Sequence, residues 1–186
     1  MKNKILLGLS LISIFIGAAL VSCSRPADGL QSEVVPVGSH VFTTPEVVEM
    51  LQSNGVSCSF TLTDKTYIAP EADWVKSQFS SKFTKFLFDY NINHWTQESN
   101  DCDDISRAAA TYASILYGNS KNRIKGHGFL FGEYHYAKAG AGGHAINVAI
   151  VKDGEEYRLM FYEPQVKYEV TLSESEKFNG SIWLRF

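Results

Sequence analysis

The sequence predicts an α+β domain, with helices in its first half and an antiparallel sheet in its second. Two observations carry this. Three stretches between Thr44 and Gly118 place apolar residues at helical spacing, and the chain beyond Phe129 alternates apolar and polar residues. A third feature sets the context: an apolar leader with a positive start precedes the whole domain.

The elements follow in order. Thr44-Pro45 opens a first helix, as a cap with proline at the first position, and Gly55 closes it. Residues 56–62 set Val56, Cys58, Phe60 and Leu62 against Ser57, Ser59 and Thr61, a half-buried strand with Cys58 facing inward. Pro70 opens a second helix that runs to about Tyr90, with Trp74, Phe79, Phe83, Phe86 and Leu87 on its apolar side. A loop from Asn91 to Asn100 leads to a third helix from about Asp101 to Tyr117, ended by Gly118. The glycine-rich stretch 119–143 contains one strand around Phe129–Tyr136. Further strands are expected over 144–152, 155–163, about 166–171 and 181–186.

The leader begins with Lys2 and Lys4, runs apolar from Ile5 to about Val21, and ends Ala19-Leu20-Val21-Ser22-Cys23. This is a secretory signal with small residues before a cysteine, and it resembles a lipobox, in which the signal is cut just before an acylated Cys23. The domain plan is a signal over 1–22, a lipid-anchored tether over 23–40 without periodicity, and a folded domain over 41–186. Lipidation anchors a protein to a membrane without spanning it. Ser24 is not the acidic residue that often retains lipoproteins at an inner membrane, so an outer membrane is the expected location in the cell envelope.

Removing residues 1–22 leaves 164 of the 186 residues, enough for one domain with a core. It also takes two lysines and no acid, so the formal charge of −3 becomes −5. With no basic stripe, nucleic acid is excluded as the expected partner. No feature indicates an organic cofactor or an oligomeric state.

Asp153-Gly154 between two alternating runs is a two-residue hairpin signal of type I′. With Lys152 opposite Glu155, the register pairs Ile150 with Tyr157, Val148 with Leu159, Ile146 with Phe161, and His144 with Glu163, all on one face. A carboxylate beside an imidazole selects its tautomer and stabilises the imidazolium. Asn147 points to the other face. Cys102 stands at the start of the third helix, where the helix terminus favours the thiolate. Asp101, Asp103 and Asp104 oppose that effect; they serve either helix capping or a hard cation such as Ca²⁺.

Trp95, Asp101-Cys102-Asp103-Asp104, Gly143-His144-Ala145-Ile146-Asn147 and Glu163-Pro164-Gln165 together resemble the papain-like, calcium-dependent cysteine protease domain of the Marasmius agglutinin type. The resemblance covers roughly residues 95–165. It implies a papain-like fold, N-terminal helices packed on a C-terminal antiparallel sheet. It implies Cys102 as nucleophile, His144 as general base and Glu163 as orienter. Asp103 and Asp104, and more weakly Asp101, would ligate calcium, and Trp95 would lie over the cleft. Gln97 and Gln165 are oxyanion candidates. The chain has no room for the agglutinin's lectin domain, so sugar binding does not carry over.

The expectation is therefore an exported, lipid-anchored cysteine hydrolase acting on a peptide or protein. Two alternatives stand beside it: transglutaminase- or deamidase-type acyl transfer on the same fold, and a non-catalytic envelope binding lipoprotein with a Cys58–Cys102 disulfide. A zinc site from His127, His135, His144 and Cys102 finds no supporting ligand spacing. Gly140, Gly142 and Gly143 permit close backbone approach or a turn before His144.

Overall fold

A computed structural model describes residues 33–184 except 95, 97–99, 139, 141 and 179. The order is β1 (Val37–Thr43), α1 (Thr44–Ser53), β2 (Ser59–Leu62), β3 (Thr66–Pro70) and α2 (Ala72–Trp74). A π turn (Val75–Phe79), α3 (Ser80–Asp89) and α4 (Cys102–Gly118) follow. Then come β4 (Gly128–Phe129), β5 (Phe131–Lys138), β6 (Gly142–Asp153), β7 (Glu156–Glu163), β8 (Tyr168–Val170), α5 (Glu174–Phe178) and β9 (Ser181–Leu184).

The strands form two sheets. The smaller has the order β1-β3-β4 and the larger β2-β9-β5-β6-β7-β8. The larger sheet is antiparallel except where β2 and β9 run parallel. This corrects the expected plan. Helices do not simply precede a sheet: β1, β2 and β3 lie in the first half of the chain, and β2 enters the large sheet from there. Thr66–Pro70 reads poorly as a strand because Pro70 resembles a helix opener, yet proline is tolerated at a strand's end.

The domain boundary also moves. Residues before Val41, expected as tether, pack onto the body: Val35 is buried and its N–H donates to Ser120 Oγ at 2.8 Å. Asn122 Nδ2 donates to the Val35 carbonyl at 2.8 Å, and the Lys121 N–H donates to the Glu33 carbonyl at 3.1 Å. The first helix is capped by Thr43, one residue earlier than expected. Its side chain and that of Glu46 form a reciprocal capping box.

The large sheet has a core on each face. Phe79, Phe83, Phe131, Ala149 and Tyr162 belong to the core under α3 and α4. Tyr134, Ile146, Val148, Ile150 and Phe161 belong to the core on the other side with Val47 and Leu51 of α1. The π turn has a visible cause. Ser80 Oγ donates to the Val75 carbonyl at 2.9 Å and meets the Tyr162 hydroxyl at 2.8 Å, which satisfies three buried polar groups at once.

The β6–β7 hairpin is present, with its register displaced by two. Asp153 pairs with Glu156, Ile150 with Leu159 and Val148 with Phe161. Gly154 takes φ +62 and Glu155 stays out of the left-handed region, so the loop is Gly154-Glu155 with glycine first, the II′ pattern. A shift of two leaves every side chain on its expected face. His144 and Glu163 are therefore diagonal neighbours on one face, where directly opposed residues were expected.

Candidate functional site

Three elements meet at one end of the large sheet: the start of α4, the start of β6 and the end of β7. A buried polar clamp sets α4 against β6. Ser106 Oγ donates to the Ile146 carbonyl at 2.7 Å. Asn147 Nδ2 donates to the carbonyls of Ser106, at 2.9 Å, and Gly132, at 3.0 Å. Both residues are fully buried. Cys102 lies one helical turn before Ser106, and His144 two strand positions before Ile146, so the clamp carries the thiol and the imidazole to the same end. Sequence reasoning left Asn147 to a metal or to no role, and overlooked Ser106. The available signal was a lone polar residue in the apolar run of β6 facing a serine on an apolar helix face.

His144 Nε2 and Glu163 Oε2 are 2.7 Å apart, with side chains 13% and 12% exposed. The other carboxylate oxygen accepts from the Gln165 N–H at 3.1 Å, and the Glu163 carbonyl accepts from the Lys167 N–H at 2.7 Å. Glu163 is thus fixed by the turn that follows it, and it fixes His144 in turn. Engaging Nε2 leaves Nδ1 as the nitrogen directed away from Glu163. Tyr136, opposite His144 in the β5–β6 ladder, sets its ring at 5.6 Å from the imidazole. Burial first, and then the charges of Glu176, Glu163 and Cys102, push its phenol up to about 12. Tyr136 is a neutral, half-apolar neighbour of His144 that also feels the charges of Glu163 and Cys102, and sequence reasoning missed it.

Cys102 is the first residue of α4 and is half-buried. Cys58 packs half-buried against the α1-side core, and the two cysteines are not bridged, which removes the expected alternative of a disulfide. Asp101 occupies the cap position without a side-chain cap bond, contrary to the capping role. It shares a hydrogen bond with Asp103, which raises the Asp101 carboxyl and, with Arg107, holds Asp103 low. Arg107 lies 3.3 Å from Asp103 and 3.5 Å from Asp104, and Asp104 also accepts from the Asn100 N–H. Asp103 and Asp104 are engaged by a guanidinium and a backbone amide, and Asp101 by Asp103, while Asp101 Oδ1 is buried with no partner among the described residues. Among the described residues no three acidic, imidazole or thiol groups are arranged to hold a metal ion. As arranged, they do not fit the calcium the resemblance implied, and no chemistry is routed through one.

The zinc set is not assembled either: His127 meets Thr66, His135 meets Glu133, and His144 meets Glu163. Gly140 and Gly142 take positive φ, and no atom of the described residues stands within 4 Å of where their Cβ would be, so they make no close approach. Gln165 supports Glu163 through its backbone, while its side-chain Nε2 is buried without a partner. A buried, unpaired amide donor costs about 1–3 kcal/mol. Trp95, Gln97 and Cys23 lie outside the described residues.

No protein-family model and no curated protein matches the chain. Solved structures do. One is described as the PSL1a-E64 complex, with a TM-score of 0.56 at 21% identity. Another is the Polyporus squamosus lectin bound to the human-type influenza-binding epitope Neu5Aca2-6Galb1-4GlcNAc, with a TM-score of 0.55 at 22% identity.

The fold is similar to that of the Polyporus squamosus lectin.

Each match covers 76% of this chain, and the chain spans about half the length of the matched proteins, 50% and 49%. At such identity the likeness is one of fold. It corrects the expectation drawn from the resemblance. The matched proteins are described as a lectin and as a complex with E64, neither as a papain-like protease, and both are seen with a bound ligand. The assignment as a cysteine hydrolase with a peptide substrate is withdrawn on that finding. The acyl-transfer alternative, which rested on the same assignment, goes with it.

Proposed function

We propose that the chain is a ligand-binding domain whose site is centred on Cys102, His144 and Glu163, carried on a lipid anchor at Cys23. One observation carries the site: the shielded 2.7 Å contact between His144 and Glu163 at the end of the sheet where α4 begins with Cys102. A solvated pair would support only a structural role, since exposed ion pairs contribute about 0–1 kcal/mol. A shielded pair fixes the tautomer and orientation of an imidazole. The thiol of Cys102 opens α4 at the same end of the sheet. Such a site holds an electrophilic or polar ligand. The ligand-bound state of both matched proteins supports a binding role, and the anchor rests on the Ala19–Cys23 pattern.

The test is binding of E64 to the full chain, read by calorimetry, beside iodoacetamide labelling of Cys102 across pH. The expected result is saturable E64 binding that is lost in Cys102→Ala, with labelling slowed at least about tenfold in His144→Ala. Labelling that His144→Ala leaves unchanged, with no E64 binding, removes the site. Binding of Neu5Aca2-6Galb1-4GlcNAc that survives Cys102→Ala also removes it, since the ligand then sits elsewhere. Incorporation of labelled palmitate, lost in Cys23→Ala, checks the anchor.

A further inference from the structure

The hollow beside the candidate site has a chemistry of its own. It encloses about 320 Å³ between the end of α3, the following loop, the first turns of α4 and the turn after β7. That size suits a small organic group. Leu87, Ile92 and Ile105 give it apolar walls, and Phe88, 72% exposed, stands at its rim. Two polar features interrupt that surface. Gln165 lines the hollow and has a buried Nε2 without a partner. Among the described residues of the lining, Lys167 supplies the single charged side chain and no acid stands beside it. Lys167 is held there with φ +62, and its N–H is bonded to the Glu163 carbonyl.

Among the described residues, then, an amide donor has no acceptor and a cation has no anion, and both ask for the same thing. We propose that the hollow is a subsite for an apolar group that bears a carboxylate, with the carboxylate at Lys167 and Gln165 and the apolar part against Leu87, Ile92 and Ile105. This rests on the binding-site reading above and extends it. The subsite and the centre are mechanically joined: Gln165 donates its N–H to Glu163 while its side chain lines the hollow, and Ile105 lies one turn along α4 from Cys102. A ligand occupying both would present its acid at the hollow and its other end to the thiol.

The test titrates N-acetylphenylalanine and its uncharged amide into the full chain by calorimetry. The expected result is that the acid binds at least about tenfold more tightly than the amide, as pairing of its carboxylate with Lys167 requires. Lys167→Asn should abolish that preference; asparagine removes the charge and still tolerates the left-handed backbone. Gln165→Leu should weaken the acid while leaving the circular dichroism spectrum unchanged. Equal affinity for acid and amide, or a preference that survives Lys167→Asn, overturns the subsite. Iodoacetamide labelling of Cys102, run on the same samples, keeps the two ideas apart. Reactive Cys102 with no acid preference sinks the subsite alone. An inert Cys102 with the preference intact sustains the subsite and sinks the thiol-centred site.

Discussion

The β6–β7 hairpin carries a charged cluster at each end, and the two are built differently. At the turn, Arg158 reaches Asp153 at 2.7 Å and Glu169 through a two-pronged contact, with all three side chains about a third exposed or more. The two carboxylates raise the guanidinium well above its ordinary range, and Arg158 lowers Asp153. Arg158 and Asp153 are thereby each held in the charged form. At the other end, His144 meets Glu163 in a shielded setting, where the carboxylate orients the imidazole. One cluster fastens a hairpin with permanent charge; the other positions a proton-carrying ring. The local strand geometry is the same, so the difference lies in what surrounds each pair: solvent at the turn, Tyr136, α4 and the Gln165 turn at the site.

That contrast breaks most severely through the clamp between α4 and β6. Asn147→Ala should cost about 2–4 kcal/mol in urea unfolding, because two buried carbonyls lose their donor. It should also slow Cys102 labelling, whereas no turn-end substitution should. Glu163→Gln comes next. It should slow labelling about tenfold, equivalent to about 1.4 kcal/mol, by loosening His144. Labelling unchanged by that variant would make the two ends equivalent.

Arg158→Ala should cost under about 1 kcal/mol, since its exposed partners are screened by water and salt. The loss should shrink in 1 M salt. It should also fade in acid: a lowered carboxylate stabilises above its unfolded value of about 3.9 and stops doing so once the folded group protonates. The smallest effect is at Asp101. Its carboxyl is raised by Asp103, so folding disfavours its charge at neutral pH. Asp101→Asn should therefore raise the melting temperature at pH 7, and the gain should disappear below the carboxylate range, where Asp101 is protonated in either state.

The residues explain which parts of this molecule were legible. The face shared by His144 and Glu163 followed from period-two alternation and survives a register error, because a slip of two preserves faces. The slip itself came from assigning Asp153-Gly154 to the loop centre when the loop is Gly154-Glu155; both dipeptides fit the same local pattern. Helix α4 and its start at Cys102 were plain from spacing and from the acids around it. By contrast, β1 was hidden in a segment with no periodicity. Its pairing with β3 exists only once the chain has folded back, and such a partner leaves no local mark. The Ser106–Asn147 clamp was missed for the same reason, since each residue alone reads as an ordinary helix serine or strand asparagine. The overall assignment failed at a different level. A few short motifs spread over part of the chain do not specify a whole family, and the fold likeness is to a lectin.

The place of β9 in the large sheet bears on when the molecule can form. β2 reaches that sheet through β9, which arrives after every other element described and wedges between β2 and β5. Until Ser181–Leu184 emerges from the ribosome, β2 has no neighbour in the sheet and β5 has an open edge. Pairing across such a span is slow, because the chain must close a long loop before any contact rewards it. A polypeptide assembled in this order keeps its large sheet open between β2 and β5 until residues 181–184 have been made.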